Sequence, residues 1–489
     1  MYYSIKMFPI KFWPLKISNI IYHSGIIIVS NAFVFSQSTI NMDGFGQLPQ
    51  INGNAVSQNT YKDNIESRYN ISFNINTVSN SGHPNLDNYA ELYVTGSSAR
   101  LISARFEYSK SWLSLELEPY TISQNGIFNN DPVSGTYQAT NNHNANNYLG
   151  QTKMGFRQSK LVLHYKGFGI GYGNMSHWWG PGFHSALALS NNAQGFYHYY
   201  IGTDGNQSVG KYVDFSFKYL ASRPMQNLKG DDYFLSAWFL KAKYKFLELG
   251  LNRNVVSGGY PDLPWEQQDV LTVLIDQNNI KYWDTINTYY ILANFEESGL
   301  KVFLEIGFPN RSYAGQDPEV YSDHAMASNL GLRKQGAFGS ENLLFGFEYT
   351  RLVQGIYYNI LPTPNWYDNI KFNYSSYKGR RWAAHSGADS DDFLIFVGYK
   401  DEQKSFIYGL NYERHGVTYH FPPEVKFESR INASYKRGNT QIHIIYENEY
   451  FEHYGFVDVN RNVWDETFEP GSLQRTHTLL ISVEHTLSF

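Results

Sequence analysis

The stretch Tyr69-Asn70-Ile71-Ser72-Phe73-Asn74-Ile75-Asn76 carries the fold in miniature. Apolar and polar side chains alternate at every step, so an extended chain here has one greasy face and one wet face. The rhythm returns in Ile102, Ala104, Phe106 and Tyr108 against Ser103, Arg105 and Glu107, and again in Leu113, Leu115 and Leu117 against Ser114, Glu116 and Glu118. Segments 213–219, 247–252, 343–349, 406–413 and the terminal 479–489 repeat it. A soluble sandwich also alternates. Here, however, the polar faces carry Glu, Asn, Gly and Ser, which suit a water-filled lumen, and the apolar faces end in Tyr or Phe, which suit a bilayer interface. No repeat of about 40–50 residues marks a propeller. The pattern therefore predicts an all-β fold, a closed antiparallel transmembrane β-barrel with long extracellular loops. Closure is required because an open edge would leave unpaired N–H and C=O groups in hydrocarbon. At roughly 25 residues per strand plus loop, the chain beyond residue 36 accommodates about 18 strands, an even number.

Composition agrees. Of 489 residues, 17 % are aromatic and 17 % charged, with 44 acidic against 39 basic side chains. That balance excludes a global basic field for nucleic acid, and no nucleic-acid partner is expected. The absence of cysteine excludes thiolate chemistry, disulfides and Cys-ligated metal.

Residues 1–36 read as a signal peptide, with Lys6, Lys11 and Lys16 before the apolar stretch 17–29 and Ser36 before the expected cleavage point. Residues 37–67 read as a short periplasmic N-terminal segment and 68–489 as the outer-membrane barrel. Segments near 121–158, 191–210, 253–286, 309–340, 352–391 and 452–476 are the expected outward loops. The final Phe489 resembles the terminal signature read by the outer-membrane barrel assembly machinery, an expected partner.

The densest local signal is Gly167-Phe168-Gly169-Ile170-Gly171-Tyr172-Gly173, followed by His177-Trp178-Trp179-Gly180-Pro181-Gly182-Phe183. Alternating glycines clear one strand face for a ring or backbone to approach. Gly180, Pro181 and Gly182 make a tight turn. Trp178 and Trp179 offer flat faces for sugars, or else hold a loop inside the barrel.

Gly250–Arg253, Gly346–Arg351 and Gly409–Arg414 end alike, with each arginine on the apolar register. Arg253, Arg351 and Arg414 are thus expected at headgroup level, pairing with phosphates of outer-leaflet glycolipid. A bulge turning them inward toward an anionic glycan, or simple snorkelling at the surface, are the alternatives.

Enzyme readings are weak. Asp389, Asp391 and Asp392 lack EF-hand spacing and read as an acidic loop. Ser386 beside His385 makes no triad on sequence alone, and neither HExxH nor a phosphate-binding Gly-Lys loop is present. No catalytic residue, cofactor or metal site is expected.

The run Trp178-Trp179-Gly180-Pro181-Gly182, with Ser185, Leu187, Leu189, Ser190, Asn192 and Ala193 behind it, resembles the signature of the Wzi capsule-assembly family. Looser similarity continues through Leu247–Gly250, Arg253, Gly258-Gly259, Glu348, Thr350-Arg351, Tyr374 and Tyr377-Lys378. The resemblance implies an outer-membrane lectin that helps attach or organise capsular polysaccharide without chemistry. Residues 37–67 show no sign of the periplasmic helical bundle that enterobacterial members of the family carry. With the two Trp stacking on sugar rings, Lys378, Arg380 and Arg381 would select anionic groups. The alternative is a passive channel for small solutes, in which luminal Glu116, Glu118, Glu248, Glu348 and Glu413 favour cations.

Overall fold

Strand Arg68–Asn80 pairs antiparallel with Ser98–Lys110 on one side and with Gln474–Ser488 on the other, so the first and last strands meet and the sheet has no edge. The computed structural model describes residues 68–82, 87–89, 92, 98–125, 152–226, 232–258, 283–309, 326–352, 366–367, 375–378, 380–417, 423–453 and 473–488. The proposed signal peptide, segment 37–67, Tyr374 and Phe489 lie outside the described residues.

The sheet holds 20 strands, of which 18 are staves and two, Gln207–Val209 and Met225–Gln226, are short extensions. In chain order the staves are β1 (Arg68–Asn80), β2 (Ser98–Lys110), β3 (Leu113–Asn125), β4 (Thr152–Tyr165), β5 (Phe168–Gly173) and β6 (His198–Thr203). Then follow β7 (Val213–Ser222), β8 (Asp232–Tyr244), β9 (Leu247–Gly258), β10 (Trp283–Phe295), β11 (Leu300–Pro309) and β12 (Ala327–Ala337). The ring is completed by β13 (Ser340–Arg351), β14 (Ser390–Lys400), β15 (Lys404–His415), β16 (Glu424–Arg437), β17 (Thr440–Glu452) and β18 (Gln474–Ser488).

The faces fall as the alternation predicts. On β1, Phe73 and Ile75 are about half exposed on the outside, while Ser72, Asn74 and Asn76 are buried on the inside. On β18, Leu479, Ile481 and Val483 point out, and Thr478 and Ser482 point in. β1 begins opposite Ser109 and β18 ends opposite Asn70, so both barrel termini lie at the end of the short turns. The long connections all leave the other end. Two expected loops hold staves instead. Segment 191–210 contains β6, whose inward Tyr200 and outward Tyr199 and Ile201 abolish the alternation. Segment 309–340 contains β12, whose inward Gly331 leaves room for the Phe303 ring.

The glycine run of β5 serves the purpose read from it: a Cβ on Gly171 would stand 2.5 Å from the Tyr200 ring. The ring fills the space the glycine leaves.

If the outer belt touches lipid, Ile75→Arg should lower stability by about 2–4 kcal/mol near mid-bilayer. Urea unfolding from lipid vesicles measures it; an unchanged midpoint would contradict the assignment of faces.

Candidate functional site

The 24 residues between β5 and β6, 174–197, turn inward, and most of them are buried. At the base, Asn174 N–H donates to Ser159 O, and Ser159 N–H donates to Asn174 Oδ1, each at 2.8 Å. The segment then closes on itself where Trp179 N–H meets Leu189 O at 2.9 Å. At its tip, three successive backbone N–H groups converge on one wall carboxylate. Phe183 and His184 donate to Glu348 Oε2 at 2.7 and 3.0 Å, and Ser185 donates to Glu348 Oε1 at 2.7 Å. Beside it, Leu187 N–H donates to Glu305 Oε2 at 3.4 Å, and Asn329 Nδ2 donates to Ser185 O at 2.9 Å. Glu348 is on β13, eight staves from β5 in a ring of 18, so the infold crosses the lumen to the far wall.

The turn Gly180-Pro181-Gly182 makes this grip possible. A Cβ on Gly182 would lie 2.1 Å from Ser185 O and 2.8 Å from Glu348 Oε1. Any side chain there would push the tip off its carboxylate.

Two further infolds lock the first. Tyr367 Oη donates to Leu187 O at 2.6 Å, Ser190 N–H donates to Trp382 O at 2.6 Å, and Asn88 Nδ2 donates to His184 O at 2.9 Å. Trp179, Leu187, Leu189, Phe196, Trp366 and Trp382 share one apolar cluster within the barrel. The interior is a packed plug.

A buried charged knot sits where the infolds meet the wall of β14–β17. Lys426 Nζ faces Asp87, Glu413, Glu428 and Glu449 at 2.7, 2.9, 3.4 and 3.3 Å. Next to it, His184 Nε2 and His385 Nε2 face Asp392 Oδ2 at 3.2 and 3.3 Å, and His385 Nε2 lies 3.6 Å from Glu413 Oε1. Burial would pull the His385 pKa down, but Asp392, Asp87 and Glu413 outweigh it and hold it well above the ordinary value.

The expected binding residues divide by burial. Trp179 is 4 % exposed, packed against Phe239 and His177, so it is a plug residue and presents no ring face to a sugar. Arg381 is 0 % exposed and lies over the Tyr367 ring. Arg380 is 4 % exposed and bound to Asn192 O and Asp87. These three correct the stacking and selection roles read for them: the plug has taken their side chains. Trp178 is half-buried, with Nε1 donating to Gly182 O at 2.8 Å. Lys378 is exposed beside the Tyr377 ring, its Nζ donating to Gln194 Oε1 at 3.1 Å.

Arg253, Arg351 and Arg414 keep the outward register. Asp391 stands between Arg351 and Arg414 across the sheet and holds Arg414 through Nε and Nη2. Asp391 and Asp392 therefore open β14 and are buried, contrary to the acidic loop read for them. The luminal glutamates are also engaged. Glu118 faces Arg105 and Arg157, Glu116 faces Lys160, Glu248 faces Lys241, and Glu413 faces Lys426. Sequence reasoning missed Glu305, Lys426 and the pairing of His184 with His385. Their only trace is an ionisable residue on a strand's polar face or beside the glycine turn.

The sequence profile of the family described as capsule assembly protein Wzi matches residues 69–400, more than half of the chain. The chain belongs to the Wzi capsule-assembly family. This places the barrel in the outer membrane of a Gram-negative bacterium, with the short turns periplasmic. Among solved structures it is similar to Wzi, an outer-membrane protein involved in group 1 capsule assembly in Escherichia coli and described as a carbohydrate-binding β-barrel. That match has 10 % identity, covers 84 % of this chain and 83 % of the other, and has a TM-score of 0.58. OccAB4 of Acinetobacter baumannii matches at 10 % identity over 88 % of this chain and 100 % of its own, with a TM-score of 0.47. OccK8 (OprE) of Pseudomonas aeruginosa matches at 9 % identity over 87 % and 98 %, with a TM-score of 0.47. No curated protein sequence matches the chain. In this Wzi-family barrel, the glycine-turn signature is the part that grips the far wall.

Two outcomes follow. Glu348→Ala strands three buried N–H donors, each worth about 1–3 kcal/mol when unsatisfied. The plug should loosen, and planar-bilayer recordings should show open-state current that the parent lacks; equal traces would contradict the docking. His177 is buried, with His198, Lys218 and Lys160 adding to the effect, and its pKa lies well below the ordinary value. Its contribution is full above pH ~6.5 and is lost as pH falls through the lowered value. His177→Gln should therefore shrink the drop in melting temperature on acidification, and a parallel drop in both proteins would refute this.

Proposed function

We propose that this chain is a non-enzymatic outer-membrane lectin that helps attach or organise capsular or other surface polysaccharide. The observation that supports it is the plug. An interior crossed by gripped infolds, with Glu116, Glu118, Glu248 and Glu413 facing internal cations and Glu348 held by amides, is built as a rigid scaffold for the outer end. A passive, cation-selective channel needs those carboxylates facing water.

Lys378, exposed on the infold before β14, supplies the cation for an acidic sugar, and half-buried Trp178 supplies an apolar ring edge. Arg380 and Arg381 position this infold from beneath. Each contact is weak, and useful affinity comes from a repeating polymer engaging many copies. Along the outer rim, Arg253, Arg351 and Arg414 serve as contacts for glycolipid phosphate, with Asp391 fixing the geometry of Arg414. The barrel assembly machinery inserts the chain.

Lys378→Ala should weaken binding of purified barrel to the host's acidic surface polysaccharide about tenfold, the equivalent of 1.4 kcal/mol. Adding Trp178→Ala should weaken it further. Surface plasmon resonance on immobilised polysaccharide reads both. Parent protein that binds no surface polysaccharide at any density would overturn the proposal.

A further inference from the structure

Two histidines from different infolds and two carboxylates from neighbouring staves bring their tips together at one buried point. His184 follows the glycine turn, His385 lies in the segment before β14, Asp392 is on β14 and Glu413 is on β15. One ligand-type atom from each lies within 4.8 Å of the other three, and all four residues are buried.

The spacing is long for charge-assisted hydrogen bonds and fits a shared ion. Such hydrogen bonds run at about 2.7–2.9 Å. Here the nitrogen–oxygen separations are 3.2, 3.3 and 3.6 Å, longer than that range. Ligands about 2.0–2.2 Å from a tetrahedral centre stand roughly 3.3–3.6 Å apart. The three edges fall within 0.1 Å of that range. Charge is compatible, since Asp87, Glu413, Glu428 and Glu449 crowd around Lys426, with Arg380, His415 and Arg430 at the edges of the same group.

We infer that His184, His385, Asp392 and Glu413 form a structural site for a borderline divalent transition metal such as Zn2+, stapling two infolds to the barrel wall. Two imidazoles and two carboxylates suit such an ion better than Ca2+ or Mg2+, which take oxygen ligands. Outer partners are in place. Asn411 Nδ2 donates to Asp392 Oδ1, its 3.1 Å contact with His184 Nε2 being one that an ion on that nitrogen would replace, and His415 Nε2 holds Glu413 Oε2 at 3.0 Å. The His184 backbone is fixed by Glu348. Four ligands fill a tetrahedron, so the site holds shape and carries no chemistry.

The test uses the full barrel purified in detergent, stripped with chelator and then dialysed against Zn2+ or Co2+. One equivalent of either metal should remain by elemental analysis, and the Co2+ form should show the intense visible absorption of a four-coordinate site. His184→Ala with His385→Ala should abolish both signals. Asn411→Ala, which leaves all four ligands, should weaken binding about 10–100-fold. Chelation alone should raise the conductance of parent barrels in planar bilayers. Parent barrel that is folded by circular dichroism yet retains no metal would overturn the inference, whether or not the variants fold. So would undiminished binding in the double variant.

Discussion

A backbone amide in hydrocarbon has no water to turn to, and the whole architecture answers that constraint. Eighteen staves satisfy one another only because β1 pairs with β18. Closure sorts the side chains into a lipid face of Phe, Ile, Leu and Tyr and an inner face of Asn, Ser, Thr and Glu. It also leaves a wide lumen lined with groups that need partners.

The partners come from the chain itself. Glu348, buried on the wall, would be poorly solvated if it stood alone; three infold amides surround it. The amides of a turn would likewise be unsatisfied inside a barrel without an acceptor. Each side of the contact meets the other's need, and Phe183, seated against Phe303 and Phe396, adds an apolar anchor at the tip. The glycines of the turn are there because the carboxylate must come close. The indole of Trp179 is there because the base of the same segment needs a core.

Much of this was legible in the sequence. Period-2 alternation carried the barrel and the facing of the eight staves in which it was read, because the bilayer imposes the same rule on each. β6 and β12 escaped because one has aromatic residues on both faces and the other has few apolar residues. At the site, the glycine-turn signature was visible but its target was not. Glu348 lies 166 residues beyond Gly182 in the chain, and nothing local marks the pair. Arg380 and Arg381 read as glycan-selecting cations because an arginine pair in a long connection is normally exposed; the folding-in of that connection reverses the expectation. Nothing local joins His184 to His385; the fold sets their rings side by side, 4.4 Å between centroids.

Amide hydrogen exchange on the barrel in lipid nanodiscs tests the account most directly. The N–H groups of Phe183, His184 and Ser185 should be protected to the same degree as those of β13, since each is buried and bound to Glu348. Exchange of these three amides within seconds, at the rate of a solvated loop, would contradict the crossing plug on which the rest is built.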